Sequence, residues 1–495
     1  MQGTVMAKKQ LTVIGAGISG LSIAALMAKE GFAVRVLEKN EQPGGRARVH
    51  REQGFTFDMG PTWYLMPEIF ERFFAHFDKK VSDYYELEKL SPYFRVFTDD
   101  KVLDISSDPQ ELKELFASLE ENGAEKLEKY LKEAKYKYEI AVKEFLYKDF
   151  NSIFDFMNKR MIFEGLKLHV FSKLDKYAKK FFKSPLARKI LEYNIVFLGG
   201  SPDKSPALYS LMSHVDLNLG VWYPKGGIWK LPDALYRLCL ELGVTFHFNE
   251  PAVSLVVEKN QINRVHTDKT SYATDLVISG AEYPHVETVL LPKKYQTYSE
   301  KYWKKGTYAP SMFLIYLGLS RKIPGLAHHN FYFPDDWDPH FKNLFSHPAW
   351  PENPAYYIGV PSVSDPLIAP PGKELLFMLV PVAPGLDDND TIRQNYTDKI
   401  LSHFEGIIKE PIRPLIEIQK IFSHRDFKQL YHAYDGTALG LAHTLFQTAI
   451  FRPGNQSKKV KNLFFTGQYT NPGIGVPMAL ISSEIVMGKI KKARL

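Results

Sequence analysis

The sequence predicts an α/β protein: a Rossmann-like dinucleotide-binding domain assembled from separate segments, a mixed β-sheet domain, and a helical region. Three observations predict this. An apolar run at residues 11–14 leads directly into Gly15-Ala16-Gly17-Ile18-Ser19-Gly20 and then an apolar helical face. A second glycine-rich loop and apolar helix close the chain over residues 466–489. Between them, residues 310–382 hold Tyr- and Phe-rich runs separated by proline-containing loops, the pattern of antiparallel strands.

In the opening unit each glycine has its own task. Gly15 permits the tight turn, Gly17 lets the backbone approach a pyrophosphate, and Gly20 lets the helix pack close to the strand. Ala16 and Ser19 complete the turn, and the free amides of the helix N-terminus face the phosphates. Gly31 ends that helix. The strand at 33–37 then delivers Glu38, eighteen residues after Gly20, placed to accept hydrogen bonds from ribose hydroxyls and to repel a 2′-phosphate; Lys39 follows it. Gly44-Gly45-Arg46 separates FAD from NAD. A plain NAD domain has no reason for a glycine pair and a cation here, whereas the extended flavin diphosphate does. Residues 54–59 alternate like a strand, and Gly60-Pro61-Thr62 turns the chain past the flavin. Trp63 and Tyr64 then face either a substrate cavity or ordinary core.

Residues 86–105 read as short strands and 108–150 as highly charged helix. Between Tyr147 and Ile190, eleven Lys or Arg stand against four Asp or Glu, interleaved with Phe, Ile, Met and Leu. Two readings suit that stretch: a core-facing helix pair with a basic outer face, or a surface lying on an anionic bilayer. At 495 residues and 45% hydrophobic, the chain is long enough for two or three domains and for burying a cofactor. Its single cysteine, Cys239, cannot form an internal disulfide, and no Cys/His spacing suggests a metal site. The first ten residues lack a signal peptide's apolar core, and no uncharged apolar run reaches membrane-spanning length. A cytoplasmic protein, at most peripherally attached to membrane and without a nucleic-acid partner, is expected.

These residues resemble the carotenoid desaturase family, the bacterial-type phytoene desaturases and their relatives, along essentially the whole chain. The resemblance is carried by GAGISGLSIA with Glu38 and GGRA, by GFTFDMGPTWYLMPEIFERFF, by VFLGGSPDKSPALYSLMSHVDLNLGVWYPKGGI, by DLVISGAEYPHVE and by TGQYTNPGIGVPMALISSE. It implies FAD as cofactor and a helical region that approaches membranes. Gly15, Gly17, Gly20, Glu38, Gly45, Arg46 and Gly467 match the family's cofactor positions. Val253 fits its backbone contact to adenine, and Gly475, Val476 and Met478 fit the helix start beside the flavin. The chain departs from the pattern at Gln468 and Glu282, where Glu and Asp are more usual. The implied domains are 8–85 with 215–300 and 415–495 for FAD, 86–105 with 301–414 for substrate, and 106–214 as a helical lid.

A polyene has no ionisable handle and must be gripped by shape and apolar contact, which suits a chain 14% aromatic. The resemblance implies stepwise dehydrogenation of phytoene toward lycopene, hydride passing to flavin N5 and the electrons leaving to quinone or oxygen. Alternatives within the family are a hydroxycarotenoid 3,4-desaturase, a diapophytoene desaturase, a ketolase or an isomerase. Outside it stand a flavin amine oxidase and a non-enzymatic prenyl-lipid carrier. Glu282, His285 and Asp58 are candidate bases, and each also has a structural reading.

Overall fold

A computed structural model describes residues 8–148, 168 and 172–494. Leu11 and Val13, wholly buried in the strand Gln10–Ile14, sit at the centre of a five-stranded parallel sheet. Its order is Leu463–Phe465, Leu276–Ser279, Gln10–Ile14, Ala33–Leu37, Thr245–His247, so strands far apart in sequence lie side by side. The helix Ile18–Lys29 is buried continuously from Ser19 to Met27. It lies between the helices Lys230–Glu241 and Val476–Ala493, which explains why it is apolar on every face. A three-stranded antiparallel sheet, Ala252–Glu258, Gln261–Thr267 and Ser271–Ala273, flanks this layer.

The second large sheet has seven strands in the order Ile416–Phe422, Ser311–Leu319, Glu374–Val382, Tyr356–Gly359, His329–Tyr332, Phe94–Phe97, Val102–Ile105. Ser311–Leu319 and Glu374–Val382 pair along their full nine residues, and both are buried on both faces. One face packs on Phe55, Phe57 and the aromatic cluster beneath. The other packs on Tyr396, Ile400 and Phe404 of the helix Asp390–Ile408. Ile416–Phe422 therefore lies in this sheet, across the boundary expected at residue 415. Leu87–Lys89 lies outside it and pairs with Trp222–Pro224 instead.

The helical region contains Pro109–Leu119 and Gly123–Ala141, continued by a π-helical turn at Val142–Leu146. Of the basic stretch 147–190, residues 149–167 and 169–171 lie outside the described residues. In the remainder, Tyr177, Phe182 and Ile190 are buried while Lys173, Lys176, Lys179, Lys180 and Lys183 are exposed. No described helix is long and apolar enough to cross a membrane, and no metal-binding cluster occurs among the described residues.

Candidate functional site: a dinucleotide cradle opening into an apolar cavity

One cavity of about 930 Å³ runs between the parallel sheet, the seven-stranded sheet and the helical region. Its nucleotide end is built at the C-terminal ends of the parallel strands. Gly15, Gly17, Ser19, Glu38, Lys39, Gly45, Arg46, Gly60, Pro61, Thr62, Gly467, Gly475, Val476 and Met478 all line it.

Ala16 and Gly20 are near the cavity but serve as braces. Ala16 donates its N–H to Glu38 Oε2 at 2.7 Å and accepts from Gly44 N at 2.8 Å, tying the first glycine turn to the second. A Cβ on Gly20 would stand 1.9 Å from Gly15 O, so the helix touches the turn backbone directly. A Cβ on Gly60 would stand 2.0 Å from Arg46 O, which seats the Gly60-Pro61-Thr62 turn on the arginine's own backbone. Gly467 meets Ser19 in the same way, its Cβ position 2.8 Å from Oγ, so the two ends of the chain close on one cradle.

Val253 is placed differently. Its side chain is 46% exposed and does not line the cavity; Pro251 and Ala252 form the wall there. The pairing with the next strand shifts register between Ala252 and Ser254, which leaves Val253 at the irregularity. The adenine contact expected of Val253 is one of its backbone, on which the outward side chain has no bearing.

Glu38 is buried, and burial raises its carboxyl above the usual carboxylate range. Hydrogen bonds from Ala16 N, Asn40 N and the Asn40 amide oppose that shift, as does the charge of Lys39. Arg46 donates to Glu282 Oε2 at 3.0 Å and stacks over Tyr431, its guanidinium carbon 5.2 Å from the ring centroid. Glu282 also accepts from Tyr469 Oη and Tyr434 N, so its oxygens are already engaged. His285 stacks on His432 with centroids 3.9 Å apart, and burial with the neighbouring His432 and Lys39 lowers it to about 4. Asp58 does not line the cavity. It accepts from Ile228 N and Trp229 N at 2.7 and 2.8 Å, and burial raises it to about 7. All three candidate bases thus have structural employment.

The residues fit FAD by three observations. A Cβ on Gly17 would meet nothing within 4 Å, so the backbone there faces open space where a diphosphate passes. Arg46 Nε and Gln468 Nε2 are buried donors with no partner, and both residues line the cavity. Phosphate and ribityl oxygens are the acceptors such donors require. Gln468 therefore keeps a donor where the family pattern has an acid.

Sequence reasoning missed the brace behind this loop. Arg452, 3% exposed, donates to Leu441 O and Gln447 O at 3.0 Å and to Gln468 O at 2.5 Å, and burial lowers it to about 10. His443 Nε2 accepts from Ile474 N at 3.0 Å, which leaves Nδ1 to carry the proton toward Tyr209 Oη at 2.6 Å. Both residues hold the loop that feeds Gly475. A lone Arg and a lone His carry no spacing signal, so only burial reveals them.

Trp63 lines the cavity and stacks on His329 at 4.6 Å. Tyr64 borders it too, but packs into core on Phe70 and bonds Tyr85 Oη at 2.8 Å. Phe197, Leu198, Met212, Leu314 and Leu379 continue the wall beyond Trp63, making that part of the cavity apolar.

The model of the family described as flavin containing amine oxidoreductase matches residues 18–486. The carotenoid 3,4-desaturase of Haloarcula japonica is 45% identical over 96% of this chain and 97% of its own length. The zeta-carotene-forming phytoene desaturase of Myxococcus xanthus is 31% identical over 97% and 94%. The chain belongs to the carotenoid desaturase family of flavin-containing amine oxidoreductases. It is an FAD-dependent oxidoreductase of the kind that acts on CH–CH bonds. Among solved structures, an oxidoreductase from Methanosarcina mazei superposes with a TM-score of 0.63 at 18% identity, covering 97% of this chain and all of that one, which shows the shared fold.

Proposed function

We propose that this carotenoid desaturase removes hydrogen from the 3,4 bond of an acyclic carotenoid. The single observation that carries the regiochemistry is the 45% identity, over nearly the full length of both chains, to a relative named for that reaction. The cavity supports the substrate class: it is continuous from the dinucleotide cradle into a wall of Phe, Leu and Met that grips a polyene by shape. Stepwise desaturation of phytoene is the second reading, favoured by the 31% relative.

Bound FAD supplies the hydride acceptor. The chain's own residues hold and shield it. Gly15, Gly17 and Arg46 take the diphosphate, Glu38 the ribose hydroxyls, and the helix start at Val476 the far end of the cofactor. Trp63 and its neighbours exclude water from the carbon that loses hydride. Glu282, His285 and Asp58 take no part as base. The reading extends to quinone or oxygen as final electron acceptor, and to a bilayer as the source of substrate, met by the exposed Lys173–Lys183 face.

The test embeds two carotenoids separately in anionic liposomes with FAD-loaded protein: phytoene, and a coloured acyclic carotene whose polyene is complete except for its saturated 3,4 bonds. The second is expected to gain a double bond at the 3,4 position, which lengthens the conjugated polyene and shifts its visible bands to the red, while phytoene stays colourless. Coloured product from phytoene alone transfers the assignment to the second reading.

A further inference from the structure

Arg452 is a buried cation with no anion paired to it among the described residues. Its guanidinium donates to Leu441 O, Gln447 O and Gln468 O, and its Nε is left without a partner. The ionisable side chains that act on it are the phenols of Tyr209, Tyr469 and Tyr302 rather than any carboxylate. Burial lowers it only to about 10, so it keeps its charge at neutral pH. Arg46, by contrast, is matched by Glu282.

This charge stands directly behind the loop that meets the far end of the cofactor. Arg452 Nη2 bonds Gln468 O, and its guanidinium carbon lies 3.4 Å from the position a Cβ on Gly473 would take. Gln468, Ile474 and Gly475 of the same loop line the cavity, and the helix Val476–Ala493 starts from it. Three carbonyl dipoles offset only part of the cost of burying a charge. An opposite charge close by offsets the rest.

Dehydrogenation creates such a charge. Hydride transfer moves two electrons and one proton from a C–H bond to the flavin, which gains one negative charge; the carbon skeleton then closes its double bond by releasing a second hydrogen as a proton. We propose that Arg452 is the fixed positive charge that stabilises the flavin's negative charge after hydride transfer and so raises the reduction potential of the bound cofactor. It acts from outside the cavity wall, as a positioning residue that fixes a charge rather than as a group in contact with substrate. The helix start at Val476 adds its own partial positive charge. The proposal rests on FAD in the cradle and is independent of which carotenoid is oxidised.

The experiment measures the potential of bound FAD by anaerobic dye titration, without carotenoid, in wild type, Arg452→Gln and Arg452→Lys, each loaded with excess FAD and freed of unbound flavin. Arg452→Gln keeps an amide donor for Gln468 O but no charge. It is expected to lower the ratio of reduced to oxidised flavin at a fixed solution potential about 10- to 100-fold, a fall of about 30 to 60 mV for two electrons. Arg452→Lys keeps the charge and loses the fork, and should stay within about 3-fold of wild type. An unchanged potential in Arg452→Gln, or an equal fall in both variants, overturns the proposal and leaves Arg452 a brace. If neither variant retains flavin, wild type decides through its potential against pH below neutrality. A flavin held as the reduced anion takes up one proton per two electrons, about 30 mV per pH unit, where free FAD takes up two. Groups around Arg452 stay silent there: Tyr209 and Tyr302 are pushed up to about 12, burial holds Tyr469 well above its ordinary range, and burial with the charge of Arg452 holds His443 well below its own. Two protons per two electrons in wild type overturns the proposal. Failure to convert any carotenoid while these potentials hold counts against the substrate reading alone.

Discussion

Gly20 has no room for a methyl group, because its Cβ position lies 1.9 Å from a backbone oxygen that cannot move without opening the Gly15 turn. Gly20→Ala is expected to cost about 3 kcal/mol of stability and to yield protein without flavin, measured by thermal unfolding and by absorbance of the purified chain. Arg46 is limited in another way. It works through one hydrogen bond to Glu282, an unpartnered Nε and a flat contact with Tyr431, and a lysine reproduces neither the second donor nor the flat contact. Arg46→Lys should weaken FAD binding about 10-fold in a fluorescence titration, although the charge is kept. Glu287 shows what burial does to a carboxyl: Oε2 accepts from Thr297 N and Tyr298 N, Oε1 has no partner, and the group is raised to about 7. A carboxyl raised in the folded state contributes stability that is complete below its unfolded pKa of 4.5 and lost as pH climbs through about 7. Glu287→Gln should therefore match wild type near pH 4 and be more stable by about 2 kcal/mol at pH 8, read from chemical denaturation at the two values.

Among the elements, the loop between the strand Leu463–Phe465 and the helix Val476–Ala493 depends most on side chains outside itself. Arg452 satisfies three carbonyls, one of them Gln468 O within that loop, and His443 holds Ile474 N just before Gly475. Arg452→Leu removes all three donors. It is expected to destabilise the protein by about 3 kcal/mol or more and to lower flavin occupancy, whereas a leucine at nearby exposed Lys458 should do neither. The helix Ile18–Lys29 contrasts with this loop: it is positioned by apolar packing on both sides and by the close approach at Gly20. Its place was readable from spacing alone. Arg452 and His443 were not, because an isolated polar residue acquires a role only from what surrounds it.

For the whole molecule, the cradle is closed by contacts between residues more than four hundred positions apart: Ser483 Oγ donates to Ser19 O at 3.0 Å. A cofactor spanning those segments stabilises only the folded arrangement. Free FAD at about 100 times its dissociation constant should add about 2.7 kcal/mol, so Tm should rise with the logarithm of added FAD and return on its removal. NAD should produce no such rise, since nothing in it reaches the Gln468 and Gly475 end of the cradle. The basic face is a property of the same scale: charge reversal at Lys176, Lys179, Lys180 and Lys183 should reduce co-sedimentation with anionic liposomes and leave bound FAD unchanged.

By itself the sequence determined the nucleotide half of this protein. Glycine spacing, an acid at a set distance and a glycine pair with arginine are instructions to the local backbone, and local backbone geometry is written in short stretches of chain. Tertiary structure alone decided the substrate half. It joined Ile416–Phe422 to the seven-stranded sheet, brought Trp63 into the cavity wall, and set Phe197, Leu314 and Leu379 beyond it. Those outcomes depend on which distant surfaces exclude water from which polar atoms, and burial belongs to the folded chain rather than to any segment of it.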